Sequence, residues 1–373
     1  MNITKEIHII TFDIPYPVNY GGVIDVFYKI KALKEAGIKI HLHCFYHKRK
    51  KNKILNTYCE SVKYYKRKIT LINFFSSKPF IVKSRDDKNL IKNLAKKKCP
   101  IIFEGIHSTK LINNKKILYY KKFVRTYNIE TDYYRLLAKV EKNIFKKIYL
   151  FSEYLKIYFY QKKIKHADGI FAIKKNDQKY FQKYSKSYHI KAFHSNSNVT
   201  SKKGKGNFSL YHGNLSIAEN ENAALFLIRK IFAKNNYKLI VAGNNPKPRL
   251  EKEISKHENI KLIKNPKNKE LSSIISNAHI NLLKTNQNTG IKLKLIESLY
   301  RGRFCIGNNK MLVDSEVEKF CFSANSTKEW MTRIEKIKNQ VFDENKITKR
   351  KKIEKIFNNK KEAEKIKNII YND

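Results

Sequence analysis

The sequence predicts an α/β protein with two Rossmann-like domains, and three observations support this fold class. Short apolar runs alternate with amphipathic segments along the chain, and such alternation indicates βαβ units with a mostly parallel sheet. The alternation stops at a polar stretch, residues 195–206, and then restarts. The length of 373 residues suits two domains of roughly 150 residues each, and an apolar content of 42% is enough for two hydrophobic cores.

The first series of strands and helices fills the N-terminal half. A helix is predicted over residues 23–36, because Val26 and Ile30 recur on one face and Gly37 is a typical residue just past a helix end. Apolar runs predict the strands of this half at residues 7–12, 38–45, 100–103 and 169–173. We therefore expect a first domain at residues 1–195.

The second series follows a predicted linker at residues 196–206, which is rich in Asn, Ser and Gly. A helix is expected over residues 222–233. The strands of this half are predicted at residues 208–211, 239–242, 260–263, 280–283 and 304–306. The second domain is expected at residues 207–342. The tail, residues 343–373, has the pattern of a lysine-rich amphipathic helix, which either packs back on the first domain or stays solvated.

The formal net charge of +47 allows two interpretations. Lysine is spread along the whole chain, and Ile, Asn, Lys and Tyr are abundant while Gly is scarce, as an AT-rich coding sequence produces. The functional alternative is attraction to anions: nucleotide diphosphates, acidic lipid headgroups or nucleic acid. Nucleic acid is not expected as a partner, because the sequence contains neither paired zinc fingers nor an RNP-type strand motif.

The cysteine pattern and the hydropathy suggest a cellular location. Five cysteines, none in a Cys-x-x-Cys pair, favour a reduced cytoplasmic protein without a disulfide framework or zinc site. Neither a signal peptide nor a membrane-spanning segment is expected, because long apolar runs are absent from the sequence.

The segment at residues 289–302 is the strongest candidate binding site. It follows the predicted strand at 280–283, and Gly290 and Gly302 bracket one predicted helix. Lys292 and Lys294 lie near the start of that helix, where free backbone N–H groups and the helix dipole favour an anion. Glu297, one turn later, could accept hydrogen bonds from sugar hydroxyls. The alternative is a solvated helix face with a Lys294–Glu297 ion pair.

Four further loops follow predicted strands, at the sheet edge where doubly wound proteins bind ligands. Glycine there lets the backbone approach a ligand closely, and the histidine could contact a sugar. The alternatives are plain turns and, for the histidine, an ordinary surface position. The candidate residues in these loops are Gly21, Gly22, His107, Gly213, Asn214 and Gly243.

Five segments, taken in their order and spacing, resemble a known family over nearly the whole chain. They are Phe12-Asp13-Ile14-Pro15-Tyr16-Pro17 with Gly21-Gly22, Glu104-Gly105-Ile106-His107-Ser108, Arg125-Thr126-Tyr127-Asn128-Ile129-Glu130 with Tyr133-Tyr134, Tyr211-His212-Gly213-Asn214-Leu215 with Glu221-Asn222, and Gly290-Ile291-Lys292-Leu293-Lys294 with Glu297. In them the chain resembles retaining glycosyltransferases of the GT-B fold, in particular glycosyltransferase family 4-like enzymes of bacterial envelope synthesis. The resemblance implies two Rossmann-like domains facing across a cleft.

The resemblance also implies a substrate for each domain. The second would bind a nucleotide-diphosphate-sugar donor, and the first a glycan or lipid-linked acceptor. No metal and no separate cofactor are implied, since basic side chains and helix N-termini take the diphosphate charge. In the resembled family Lys292 would reach the diphosphate, Glu297 the ribose and His107 the donor sugar. The other implied donor-binding residues are Gly21, Gly22, Gly213, Asn214, Gly243, Thr289, Gly290, Ile291 and Lys294, with Thr289 in place of the first glutamate of the family's Glu-x7-Glu motif.

Two functions of different classes follow from the sequence. The first is a metal-independent hexosyltransferase that moves a sugar to a hydroxyl of an envelope glycan or glycolipid precursor, with retention. The second is a basic, non-catalytic binding protein for nucleic acid or an anionic membrane surface. Residues 149–165 interleave aromatic residues with lysines, which suits either a face on acidic lipid at the cytoplasmic membrane or an ordinary helix packed on the first domain.

Overall fold

A computed structural model of the protein describes residues 5–287, 290, 292–313 and 315–372. The chain divides into two α/β units. Of the described residues, the first unit holds 5–195, 290 and 358–372, and the second holds 196–287, 292–313 and 315–357. The described helices include none with the length and apolar character needed to span a bilayer.

The first unit is built on a parallel sheet of seven strands in the order β3-β2-β1-β4-β5-β6-β7. Buried aliphatic residues on both faces, such as the consecutive Ile9 and Ile10, explain why its central strands are mostly apolar. The strands are β1 (Glu6–Thr11), β2 (Lys39–Tyr46), β3 (Ser61–Lys66), β4 (Ile101–Glu104), β5 (Lys122–Thr126), β6 (Gly169–Ala172) and β7 (Ser187–His189).

Helices cover both faces of this sheet. The longest, α6, begins after Asn143, whose side chain accepts a hydrogen bond from the backbone N–H of Lys146. The helices are α1 (Gly21–Glu35), α2 (Leu71–Phe74), α3 (Phe80–Lys83), α4 (Lys88–Leu94), α5 (Glu130–Val140), α6 (Ile144–Tyr160) and α7 (Lys175–Phe181).

The second unit repeats the plan with a parallel sheet in the order β10-β9-β8-β11-β12-β13. Its strands are β8 (Ser209–Asn214), β9 (Leu239–Asn244), β10 (Ile260–Lys264), β11 (Ile280–Leu283), β12 (Phe304–Gly307) and β13 (Phe322–Ser323). Its helices are α8 (Ala218–Lys230), α9 (Pro248–Ile254), α10 (Asn268–Asn277), α11 (Leu293–Arg301), α12 (Asn309–Leu312), α13 (Thr327–Lys338), α14 (Glu344–Lys351) and α15 (Ile353–Ile356).

The tail forms three helices rather than the one that its pattern predicts. Helices α14 and α15 belong to the second unit, and α16 (Asn359–Tyr371) belongs to the first, where it packs on α1. A new helix starts at α16 because the Asn358 side chain accepts from the backbone N–H of Lys361. The Tyr371 hydroxyl then donates to the carbonyl of Glu6 at 2.6 Å.

The predicted linker is held in place by the second unit. The backbone N–H of Val199 donates to Glu354 at 2.7 Å, and Gly204 forms a bridge with Phe342. Residues 196–206 therefore lie within the second unit in this structure, because their backbone groups find partners there instead of remaining solvated.

The two parallel α/β units confirm the predicted fold class. In each sheet the strand order reverses direction once, between β1 and β4 in the first unit and between β8 and β11 in the second. At such a reversal the loops leave the sheet on opposite faces and open a crevice beyond the carboxyl ends of the strands. The candidate functional residues are therefore to be sought at these two points.

Candidate functional site

The reversal point of the second sheet brings together three of the predicted residues. A side chain at Gly213 would meet the Lys294 ammonium and Asn220, each at 3.3 Å. Lys294 Nζ donates to Asn220 Oδ1 at 2.8 Å, and the Asn220 amide donates to the carbonyl of Asn214 at 2.9 Å. The glycine thus leaves room for an ammonium group at the carboxyl end of β8.

Lys294 is a cation in a poorly solvated place. Burial lowers its pKa to about 8, even though the Glu219 carboxylate nearby favours the charged form. Its ammonium lies 5.1 Å from the centroid of the Tyr211 ring. His212 next to it stays neutral at pH 7, since burial and the Lys294 charge lower the histidine pKa to about 3. An anion at this position would gain a strong, poorly screened interaction.

Glu219 fixes the loop that follows β11. Its carboxylate accepts from the Thr285 hydroxyl, the Gln287 amide and, at 3.1 Å, the backbone N–H of Asn286. The Gln287 carbonyl in turn accepts from Lys292 Nζ at 3.0 Å. One carboxylate therefore sets the loop conformation and places the Lys292 ammonium beside this loop.

Two more lysines flank the same loop. Lys310 donates to the carbonyl of Asn286 at 3.0 Å. The Lys284 ammonium lies 4.3 Å from the centroid of the Phe226 ring, and burial together with the Lys310 charge lowers its pKa. Four ammonium groups and one carboxylate thus surround the reversal point of this sheet, a charge balance that favours an anionic ligand.

The start of α11 differs slightly from the prediction. The helix begins at Leu293, so Lys292 takes the position just before its first turn and Lys294 lies within that turn. Gly290 has a φ of +75°, which favours glycine. Thr289 and Ile291 lie outside the described residues, so their predicted contacts stay predictions.

Glu297 is engaged with two neighbours. Its carboxylate accepts from Arg301 Nε at 2.9 Å and from the Ser272 hydroxyl at 3.4 Å. The alternative ion pair with Lys294 is not the contact that forms, because the Lys294 ammonium turns toward Asn220 instead. A sugar hydroxyl at Glu297 would have to share this carboxylate with Arg301.

Gly243 has a structural reason for being glycine. The predicted loops at residues 212–215 and 242–245 are in part strand, because β8 and β9 pair as far as Asn214 and Asn244. A Cβ at Gly243 would lie 1.8 Å from the carbonyl oxygen of Gly213. Gly243 therefore permits the close approach of two strands, while its predicted contact with a nucleotide stays a prediction.

His107 lies at the reversal point of the first sheet, just beyond β4. Burial, reinforced by the charges of Arg85 and Arg67, lowers its pKa well below the usual value, so the imidazole is neutral. Its Nδ1 is buried without a hydrogen-bond partner in the described part of the chain. Gly105 has a φ of +67°, and a Cβ there would lie 2.7 Å from that nitrogen. Glycine is thus required for His107 to take this position.

The second of the two glycines that open α1 lies against an aromatic ring that contacts the same histidine. A Cβ at Gly22 would meet the end of the Phe12 ring at 2.7 Å. That ring lies 5.5 Å from the ring of His107 and 5.4 Å from that of Tyr127, centroid to centroid. In this structure Phe12 therefore covers Gly22, and Gly21 is the first residue of the helix.

A buried ionic network lies among α1, β4 and β5, the elements next to His107. Asp25 and Lys29 of α1 pair at 3.2 Å, and Lys29 also contacts Glu104 at 2.8 Å. Arg125 of β5 donates to Asp25 at 2.8 Å, while the Tyr127 hydroxyl donates to Glu104. Because each charge has an opposite partner, the network fixes α1, β4 and β5 relative to one another without leaving a buried ion unpaired.

Sequence reasoning missed Glu219, Asn220 and the two arginines next to His107. In the α8 segment it singled out Glu221, which instead pairs with Lys247 at 3.0 Å. A signal for Glu219 exists in hindsight, since it lies in the first turn of the helix after β8. Arg67 follows β3, a strand that the sequence pattern does not reveal.

The arrangement in the second unit is suited to holding a doubly charged group such as a diphosphate. Ammonium groups from Lys292 and Lys294 approach from the start of α11, and Gly213 leaves space for the Lys294 ammonium at the end of β8. Neutral His107 in the first unit can donate or accept a hydrogen bond but carries no charge. The lysines of the second unit can neutralise a leaving anion. His107 can orient a hydroxyl group at the first unit.

Comparison with known proteins adds one sequence relative and a set of similar folds. No family model matches the chain. Over 336 residues it is 28% identical to an uncharacterized 44.6 kDa protein in the cps region of Klebsiella pneumoniae, covering 82% of this chain and 83% of that one.

Solved structures resemble the chain over almost its whole length. TarM has a TM-score of 0.69 at 10% identity, with 99% of both chains covered. HepE from Anabaena, solved with UDP and glucose, has a TM-score of 0.65 at 10% identity and covers 99% of this chain and 100% of its own. A UDP-glucosyltransferase from Polygonum tinctorium has a TM-score of 0.57 at 10% identity, with 98% of both covered. These likenesses show the fold.

Proposed function

We propose that the protein is a glycosyltransferase that moves a sugar from a nucleotide-diphosphate-sugar to a hydroxyl of an envelope glycan or glycolipid precursor. The observation that carries the proposal is the Lys294 ammonium held beside Gly213 at the strand-order reversal of the second sheet. A partly buried cation next to a glycine, at the place where such folds bind nucleotides, suits a diphosphate.

The similar structures support the same reaction class. HepE was solved with UDP and glucose, and another similar fold is that of a UDP-glucosyltransferase. The Klebsiella relative lies in a cps region, which supports a place in capsule or related envelope polysaccharide synthesis. The cytoplasm, where the cysteine pattern led us to expect the protein, is the proposed location.

The proposed step breaks the bond between the anomeric carbon and the diphosphate oxygen and forms a bond to the acceptor oxygen. Attack from the same face gives retention, and the acceptor proton passes to a diphosphate oxygen. Lys292 and Lys294 stabilise the departing charge, where preorganised donors contribute about 3 kcal/mol. We propose that these ammonium groups serve in place of a metal, that Glu297 binds the ribose and that His107 faces the sugar.

The test is turnover of purified protein against a panel of nucleotide-hexoses, with release of the nucleoside diphosphate as the readout. We expect Lys294→Met and Lys292→Ala each to lower turnover by about 10²- to 10³-fold, because each removes charge from the leaving diphosphate. Glu297→Ala is expected to raise the donor KM through loss of ribose hydrogen bonds.

Lys252→Met is the matched control, since Lys252 is an exposed lysine on α9 of the same unit. It should turn over at the wild-type rate. Unchanged turnover in all three site variants, or absence of turnover with every donor in the panel together with undetectable nucleoside diphosphate binding, would refute the proposed function.

A further inference from the structure

Two arginines of the first unit lie near the carboxyl edge of its sheet and contact no carboxylate of the described residues. Arg85 is 5% exposed, and its guanidinium donates to the carbonyls of Phe12, at 3.0 Å, and of Ile81. Arg67 follows β3 and donates to the Ser84 hydroxyl at 3.0 and 3.3 Å. Within the described part of the chain, neither guanidinium forms an ion pair. Neutral oxygens therefore hold both cations in place without cancelling their charge.

The guanidinium charges of Arg67 and Arg85 repel each other. Burial and the neighbouring Arg67 lower the pKa of Arg85 to about 9. Asp13 attracts both guanidinium groups, but its carboxylate contacts other groups: it accepts from the Tyr20 hydroxyl at 3.0 Å and from the backbone N–H of Ile14 at 2.9 Å. A pair of positioned guanidinium groups with spare donors is the arrangement that recognises a phosphate.

A series of ring contacts joins Arg67 to the surface of the unit. Its guanidinium lies 5.9 Å from the centroid of the Phe80 ring, and Phe80 stacks on Phe74 of α2 at 4.2 Å. Phe74 lies 5.6 Å from the ring of Tyr149 on α6. The backbone N–H of Phe80 donates to Glu153 of α6 at 2.7 Å. Helices α2, α3 and α6 thus form one continuous layer with Arg67 at its border.

The outer side of this layer is apolar and exposed. Helix α6 buries Glu153, Ile157 and Tyr160 on its inner side. Large side chains of the outer side are 60–89% exposed, an unusual density for a soluble surface. We call them the α2/α6 surface, and they are Leu71 (78%), Ile72 (81%), Phe75 (89%), Phe145 (80%), Ile148 (60%) and Phe159 (65%).

Charge decides what covers this surface. Lysines interrupt the apolar residues of α6 and of the segment that follows it, among them Lys146, Lys147, Lys156, Lys162 and Lys163. The chain as a whole carries a net charge of +47, so a second copy would bring repulsion to the contact. A bilayer with anionic headgroups instead complements both the apolar side chains and the lysines around them.

We infer that the first unit binds a bilayer lipid whose headgroup is a terminal phosphate or diphosphate. Arg67 and Arg85 hold the phosphate group, and the α2/α6 surface lies in the interfacial region of the membrane. If the proposed function holds, on which this last step rests, the sugar acceptor is a lipid-linked phosphate or diphosphate. Lipid binding itself does not depend on any transferase activity.

The test is co-sedimentation of the full chain with three kinds of vesicle: phosphatidylcholine alone, phosphatidylcholine with phosphatidylglycerol, and phosphatidylcholine with a polyprenyl phosphate at matched surface charge. We expect the strongest binding to the polyprenyl phosphate and the weakest to phosphatidylcholine. The triple variant Phe145→Ser, Ile148→Ser, Phe159→Ser should bind both anionic vesicles about tenfold more weakly, because it removes inserted apolar area. Arg67→Gln should lose about fivefold for the polyprenyl phosphate while binding phosphatidylglycerol vesicles as before.

Ile217→Ser with Val341→Ser is the control, since these residues are exposed apolar side chains of the second unit. It should bind like wild type. Vesicle binding unaffected by the triple variant would show that diffuse lysine charge suffices and would overturn the membrane surface. An unchanged lipid preference in Arg67→Gln would overturn the phosphate site. A dimer in solution that the triple variant dissociates would show that a second copy covers the α2/α6 surface, and would overturn the membrane contact. Lipid binding as expected, without sugar transfer, would contradict the proposed function alone.

Discussion

The protonation of Lys294 predicts how donor binding depends on pH. Its ammonium has a pKa lowered to about 8 by burial, so it loses its charge over a pH range in which ordinary lysines keep theirs. A bound diphosphate favours the charged form. Donor affinity should therefore be constant below pH 7 and fall as the pH rises above 8, by about tenfold per unit at most.

Isothermal titration of a nucleoside diphosphate between pH 7 and pH 9.5 measures this dependence. Lys294→Gln should bind weakly and almost independently of pH over that range, while Lys252→Gln keeps the wild-type profile. The phosphate itself is fully ionised above pH 7, so its titration cannot produce the fall at higher pH. A wild-type affinity that rises above pH 8 would contradict the placement of Lys294 at the diphosphate.

Some residues at this site follow from the sequence and others do not. Gly213 and Lys294 could be selected because each has a local signal, a glycine at a strand end and a lysine at a helix start. Glu219 could not be told apart from Glu221, since both lie in the first turn of α8 and the partners of Glu219, Thr285 and Gln287, are 66 and 68 residues away along the chain. Which carboxylate of α8 fixes that loop depends on the three-dimensional packing of β8 against β11.

At the level of elements, the missed strands have identifiable physical causes. Strand β3 lies at the sheet edge and carries two lysines and two tyrosines rather than a continuous apolar run. Strand β5 contains Arg125, which looks like a surface residue in sequence but is fully buried against Asp25. The central strands β1, β8 and β11 were predicted, because burial on both faces leaves an apolar run that periodicity analysis detects.

The pairing of β8 with β9 separates two glycines that look alike in sequence. Gly243→Ala should lower the free energy of unfolding by about 3 kcal/mol, because the new Cβ would lie 1.8 Å from the Gly213 carbonyl and the strands would have to part. Gly213→Ala should change stability by less than about 1 kcal/mol, since the atoms it meets, at 3.3 Å, end flexible side chains. Urea denaturation followed by circular dichroism measures both.

Diphosphate affinity gives the complementary readout for these two glycines. Gly213→Ala should weaken binding by about tenfold, because it displaces the Lys294 ammonium and covers the strand backbone. Gly213→Ser also adds a Cβ, so it should weaken diphosphate binding to a similar extent if the bulk of the Cβ causes the effect. If Gly213→Ala binds like wild type while remaining folded, the space above Gly213 has no part in donor binding.

For the whole molecule, the question is whether the net charge of +47 has a single function. The charge is distributed over both units, whereas the proposed anion sites use a few positioned groups: Lys292 and Lys294 in one unit, Arg67 and Arg85 in the other. Diffuse charge gives weak binding to any polyanion with a steep salt dependence. Positioned charge gives binding that depends on one residue and less on salt.

The difference between diffuse and positioned charge predicts that RNA binding and nucleoside diphosphate binding respond differently to one substitution. Wild-type protein at low salt should retain a random-sequence RNA, and the logarithm of the affinity should fall linearly with the logarithm of the salt concentration. Lys294→Met should leave both the RNA affinity and the salt slope nearly unchanged, since it removes one positive charge from a chain with 79 Lys and Arg residues. The same variant should lose nucleoside diphosphate binding. Fluorescence anisotropy of a labelled RNA measures the RNA affinity, and titration calorimetry measures nucleoside diphosphate binding.

Loss of both RNA binding and nucleoside diphosphate binding in Lys294→Met would mean that the second unit binds nucleic acid at this site. The basic binding protein would then be the better description of the chain.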